Sequence, residues 1–229
     1  NPLGIILNRI ECIEAEATQM PLPEDLARDL AAIRAQGERI SRVTKSMLAL
    51  SRGAATTLKP IDLNCVLRAS LTAAGERVAV HGVRIDSALD PELPPVMGDR
   101  DRLEIVMLNL LNNAIDAVQG CNGQGIVTVR SARRFTDEGE WVEVTVSDNG
   151  PGIPDEVLDR IFDPFFTTKE ASQGTGLGLF LSYGIVSDHR GRLEVKNRAV
   201  GAEFSVSLPA LTTVPERPKG TLWESREKS

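Results

Sequence analysis

The sequence predicts an α+β protein, a helical hairpin followed by an α/β sandwich, and three observations carry that expectation. The first fifty residues repeat apolar side chains at heptad steps. From about residue 58 onward, segments of strand-like alternation interleave with helical ones, and several are joined by short turns. Among them Asp101 to Val118 is apolar nearly all round yet carries a stripe of amides. Such a mixture places helices on one face of a sheet and argues against a doubly wound parallel sheet.

The hairpin comes first. Leu3, Ile6, Ile10, Ile13, Ala17 and Met20 follow one another at steps of three and four, the seam of a helix packed lengthwise on others. Pro21 and Pro23 break it. A second helix runs from Glu24 to about Ser51, with Leu26, Ile33, Ile40 and Met47 seven apart and Leu30, Val43 and Leu50 widening the stripe. A lone hairpin leaves two such seams half covered, so a homodimer forming a four-helix bundle is expected. Residues 1–52 form this unit, and the small residues 53–57 a linker.

The sandwich spans 58–211. Lys59 to Leu63 reads as an edge strand, Asn64 to about Val80 as a helix and Val83 to Leu89 as a strand. Val96-Met97-Gly98 leads to Asp99, an N-cap for the helix that follows. Gly125 to Phe135 and Glu140 to Asp148 alternate like a strand pair, Leu177 to Val186 reads as a helix, and Gly191 to Asn197 with Ala202 to Leu208 as a closing hairpin. The stretch 212–229, rich in Pro, Lys, Glu and Ser, reads as a disordered tail.

Within the apolar helix, Asn109, Asn112, Asn113 and Asp116 fall at spacings of three and four and share one side. A buried amide without a partner costs about 1–3 kcal/mol, so a stripe of them implies a polar pocket. Two glycine runs lie downstream. Asp148-Asn149-Gly150-Pro151-Gly152 ends a strand, where a carboxylate is held still while backbone approaches a ligand. Gly174-Thr175-Gly176-Leu177-Gly178 opens a helix whose free amides favour an anion. Between them, Phe162 to Lys169 and the loop to Gly174 read as a mobile cover carrying a cation, with Phe162 and Phe165 as its hydrophobic anchors.

Composition narrows the classes. With 41% apolar and 25% charged residues the chain is ordinary for a globular protein, and a net charge of −6 gives no electrostatic case for nucleic acid. Cys12, Cys65 and Cys121 are odd in number and far apart, which fits a reducing compartment and neither a disulfide frame nor a zinc site. No run of about 18 apolar residues occurs and no signal peptide is visible, so no membrane segment and a cytoplasmic location are expected, any anchor lying upstream.

Asn109 to Ala114, Asp148 to Gly152, Phe162 to Phe166 and Gly174 to Leu179 stand in the order of the N, G1, F and G2 boxes, and the chain resembles the catalytic core of sensor histidine kinases. The Phe165-Phe166-Thr167-Thr168-Lys169 form of the F box is similar to the nitrogen-regulation type. The resemblance implies ATP as ligand and Mg²⁺ as metal. By it, Asp148 accepts the adenine amine with Gly150 and Gly152 beside the base, and Asn113 holds the metal through its oxygen, since Mg²⁺ takes oxygen ligands and keeps waters. Gly174, Thr175, Gly176, Leu177 and Gly178 serve the phosphates, and Asn109, Thr168 and Lys169 are the candidate catalytic residues.

The resemblance also implies a histidine phosphoacceptor on the hairpin and a response-regulator receiver domain as partner. The acceptor position falls four residues before Asn1, so ATP binding without self-phosphorylation is expected of this chain. Asn1 matches the family position one turn past that histidine, where an amide orients water for dephosphorylation. His81 and His189 read as turn residues. The alternatives are an ATPase of the wider superfamily that includes gyrase and HSP90, against which Asn109 stands where those enzymes carry a general-base glutamate, and a non-catalytic dimerisation module.

Overall fold

The computed structural model describes residues 2–17, 22–51, 58–119, 121, 124–169 and 175–211, without the side chains of 2, 3, 35, 38, 39 and 41–51. The expectations for Asn1, Met20, the linker 53–57, Gly174 and the tail 212–229 lie outside these residues.

Two helices, α1 (Pro2–Ala17) and α2 (Glu24–Ser51), form the hairpin. An Arg34–Glu14 contact of 3.3 Å crosses between them. Ile10 is buried, yet Ile5, Ile6, Ile13, Leu26, Ile33 and Ile40 are exposed. The seam is therefore only partly covered within one chain.

The second unit is a sandwich. Its sheet has five strands in the order β2 (Arg84–Leu89), β4 (Ile126–Thr136), β5 (Gly139–Asp148), β7 (Ala202–Pro209) and β6 (Arg192–Asn197). Only β2 and β4 run parallel; the other pairs are antiparallel. Alternation sets the inner face: Val127 and Val129, Val142, Val144 and Val146, and Phe204, Val206 and Leu208 are buried, each two residues from the next. Helices α3 (Leu63–His81), α4 (Arg100–Val118) and α6 (Gly178–Asp188) cover that face, with α4 touching both of the others. Leu103, Met107, Leu110, Leu111 and Ile115 of α4 are fully buried at the centre.

Element ends follow local chemistry. Asp62 caps α3 by accepting from the Asn64 amide at 2.8 Å, which ends the preceding strand β1 (Lys59–Ile61) short of the expected Leu63. Gly82, at φ 63°, turns the chain out of the same helix. Asp99 caps α4 through the amides of Asp101 and Arg102. The segment Val96–Gly98, expected as a mere lead-in, is strand β3, paired antiparallel with β1 in a separate two-stranded sheet. A three-residue strand is too short to show alternation.

Two readings need correction. Ile105 is exposed, so α4, apolar nearly all round, is not buried all round. His189 lies in the turn after α6, as expected, and is buried there, its Nε2 accepting from the Asp99 amide at 2.9 Å and its Nδ1 lying 2.7 Å from the Ile185 carbonyl oxygen. Phe165 is exposed at φ 66°, whereas Phe166 packs on the core with Arg160 over its ring. The anchors of that loop are therefore Phe162, its ring tilted against that of Tyr183 at 5.5 Å, and Phe166.

Candidate functional site

A cavity of about 630 Å³ opens between α4, the loop after β5 and the start of α6. The polar stripe of α4 lines it through Asn109, Asn112, Asn113 and Asp116. Asp148, Gly152, Thr168, Lys169, Thr175, Gly176 and Gly178 line it as well. The sandwich thus brings to one place segments more than sixty residues apart in sequence.

Asp148 is the last residue of β5 and only 8% exposed. Burial raises its pKa above the ordinary 3.8, and hydrogen bonds from the Gly150 and Ala202 amides to Oδ1 oppose that rise. Its Oδ2 has no protein partner among the described residues. Gly150 differs from expectation: its amide is committed to Asp148 at 2.9 Å, and its Cα packs on the Ala117 carbonyl, so it holds the carboxylate in place instead of lining the cavity. Gly201 backs onto the Asp148 carbonyl so closely that a Cβ there collides with it.

The same closeness recurs at α6. A side chain on Gly178 would collide with Asn109 Oδ1, so glycine is what lets the helix start against the amide stripe. Asn109 Nδ2 donates to the buried Ser182 Oγ at 2.9 Å, tying α4 to α6. Leu177, the N-cap residue, is buried and does not line the cavity. The first amides of α6 have no partner within the helix and lie at the cavity edge, where an anion is favoured.

Farther along α4, Lys169 Nζ donates to Asp116 Oδ2 at 2.6 Å and to Asn113 Oδ1 at 3.2 Å. Arg77 of α3 donates to Asn112 Oδ1 at 2.6 Å and to the other oxygen of Asp116. Sequence reasoning missed Arg77, because an arginine on an amphipathic helix carries no signal of what it faces. It missed Asn197 too. From the end of β6 its side chain accepts from the Ile153 amide at 2.9 Å and donates to the Ile153 carbonyl at 2.6 Å, pinning the loop after Asp148.

These features match known proteins. Residues 98–212, half of the chain, fit the family described as histidine kinase-, DNA gyrase B-, and HSP90-like ATPase. The chain belongs to that family. Over 80% of its length it is 38% identical to the two-component sensor PprA of Pseudomonas aeruginosa, of which it spans 20%. The chain spans 38–39% of the next curated relatives, named sensor histidine kinase ZraS. Among solved structures, the catalytic domain of histidine kinase ThkA is 33% identical and superposes with a TM-score of 0.60, covering 68% of this chain and 97% of that one. The complex of ThkA with the response regulator protein TrrA gives 26% identity and 0.67, covering 91% of this chain and 59% of that one. Family membership makes the sandwich an ATP-binding fold, and the cavity is the place in it that offers a buried carboxylate and a helix N-terminus together.

Proposed function

We propose that this chain is the catalytic portion of a two-component sensor histidine kinase, with the hairpin (1–52) and the sandwich (58–211) as separate modules joined by 53–57. It binds ATP with Mg²⁺ and transfers the γ-phosphoryl group to a histidine on the helical bundle, which passes it to an aspartate of a response-regulator receiver domain. The observation that carries this reading is the convergence of Asp148, the α4 amide stripe, Lys169 and the α6 N-terminus on one cavity.

The geometry supports the following roles. Asp148 Oδ2 accepts a hydrogen bond from the exocyclic amine of adenine, which guanine lacks at that position. The phosphates lie toward Gly176 and Gly178, with the Lys169 ammonium near the terminal one. Asn113 Oδ1 is the metal ligand, Asn109 and Thr168 flanking it. The donor set fits magnesium: Asn113, which lines the cavity, offers a hard amide oxygen. No group of three His, Cys, Asp or Glu suited to a metal occurs among the described residues, in keeping with a metal held largely by phosphates and water. Bound Mg²⁺ supplies charge neutralisation on the phosphates. The imidazole nitrogen attacks the γ-phosphorus, the bond to the β–γ bridging oxygen breaks, and ADP leaves.

In this reading the acceptor histidine belongs to the helical bundle and is reached by domain movement. The exposed seam at Ile5, Ile33 and Ile40 supports a homodimer. No helix among the described residues is long and apolar enough to cross a membrane, which supports a cytoplasmic site of action. Calorimetric titration with a non-hydrolysable ATP analogue and Mg²⁺ tests the reading. Saturable binding is expected, lost in Asp148→Ala and weakened in Asn113→Ala; a parent chain that binds nothing rejects it.

A further inference from the structure

The F-box lysine sits in an irregular loop, and four methylene groups separate its ammonium from the backbone. Among the described residues of the loop nothing fixes that ammonium: the local hydrogen bond, from the Lys169 amide to Thr167 Oγ1 at 3.1 Å, orders only the main chain. Yet Nζ has two partners among the described residues, both on α4, and the shorter contact is to Asp116. Asp116 is itself gripped from the opposite side. Arg77 of α3 binds its Oδ1, and Gln119 Nε2 approaches the same oxygen at 3.3 Å, which leaves Oδ2 for Lys169.

We propose that Asp116, braced by Arg77, is the positioning residue that holds the Lys169 ammonium beside the Asn113 oxygen, where it discriminates a nucleoside triphosphate from a diphosphate. This rests on the nucleotide reading above and adds to it two residues that the four boxes leave without a role. The charge balance suits the task. A lone carboxylate next to phosphates would repel them, but Arg77 neutralises Asp116, so the charge of Lys169 remains available to the ligand. Asp116 is about a quarter exposed and Lys169 about a third, so water screens the pair and its contribution to folding stability is small. Its value lies in geometry: a lysine held in one place loses less freedom when the terminal phosphate arrives.

The test uses the full chain titrated calorimetrically with the ATP analogue and with ADP, each with excess Mg²⁺. Asp116→Asn is expected to lower affinity for the ATP analogue roughly tenfold, the order of one charge-assisted hydrogen bond, and to change ADP affinity less than about twofold. Lys169→Met should show the same selective loss, and the double variant should be no worse than Lys169→Met alone. Arg77→Met, which leaves the carboxylate in place but unbraced, should show a smaller loss of the same kind and serves if Asp116→Asn folds poorly. The proposal is overturned if Asp116→Asn weakens both nucleotides equally, tightens the ATP analogue, or adds its effect to that of Lys169→Met. A parent chain that binds neither nucleotide would instead remove the reading on which the proposal rests.

Discussion

The hairpin and the sandwich solve the burial of apolar surface in opposite ways. In the sandwich, α4 places Leu103, Met107, Leu110, Leu111 and Ile115 against a sheet whose inner face is valine-rich, and all five are fully buried by the chain itself. In the hairpin, Ile5, Ile33 and Ile40 are 66%, 52% and 56% exposed. Burying one such side chain contributes about 1.5–3 kcal/mol, so in the proposed homodimer a second copy would add stability to the hairpin that the sandwich core already has within one chain. That difference suits a machine in which a rigid nucleotide-holding unit moves over a bundle assembled between chains.

Leu110→Ala should break the sandwich side of this contrast most severely. Its cavity would cost about 2–5 kcal/mol, read as a lowered midpoint of the sandwich transition in calorimetry. On the hairpin side, Ile33→Asp should convert a dimer to monomer in analytical ultracentrifugation while the sandwich transition stays where it was. A monomeric parent, or a sandwich midpoint that falls with Ile33→Asp, would show that the two units do not divide stability in this way. A smaller effect is expected at Asp99, whose carboxylate accepts from two amides at the start of α4. Asp99→Ala should cost about 1 kcal/mol, in the sandwich transition alone.

Legibility in the sequence tracks how local the determinant is. Helix α2 runs from Glu24 to Ser51 as its heptads imply, and the cap at Asp99 needs only a side chain two or three residues from the amides it accepts. The polar stripe was visible because helical periodicity alone puts Asn109, Asn112, Asn113 and Asp116 on one side. What escaped depends on contacts across the fold. Strand β3 exists because Val96–Gly98 meets Lys59–Ile61, thirty-seven residues earlier. Arg77 matters because α3 lies against α4, and Asn197 because β6 ends beside the loop after Asp148. The same holds for His189, a turn residue as read, whose contact with the Asp99 amide appears only when α6 is laid against the start of α4. Gly150 shows a subtler limit: its pattern marks a close approach, but not whether a ligand or its own Asp148 is approached.

The smallest effect expected also separates what the sandwich does for folding from what it does for binding. Burial raises the pKa of Asp148 above 3.8, despite the amide bonds that oppose the rise. Below 3.8 the carboxyl is protonated in folded and unfolded chains alike. Between 3.8 and the raised folded value the folded state binds more protons, so stability falls as pH rises through that window, and the cost is fully present above it. Asp148→Asn, which can still accept from the Gly150 and Ala202 amides, should therefore raise the sandwich midpoint at pH 7.5, and that gain should shrink as the pH is lowered into the window. Nucleotide affinity should run the other way: the ionised oxygen is the better acceptor for the adenine amine, so the parent chain should bind the ATP analogue less well as pH falls through the same window. Thermal melts of both chains across pH, with and without the analogue, measure the two trends together. If Asp148→Asn lowered the midpoint at every pH, the carboxylate would be part of what holds the sandwich together, and not a destabilising group kept in place for its ligand.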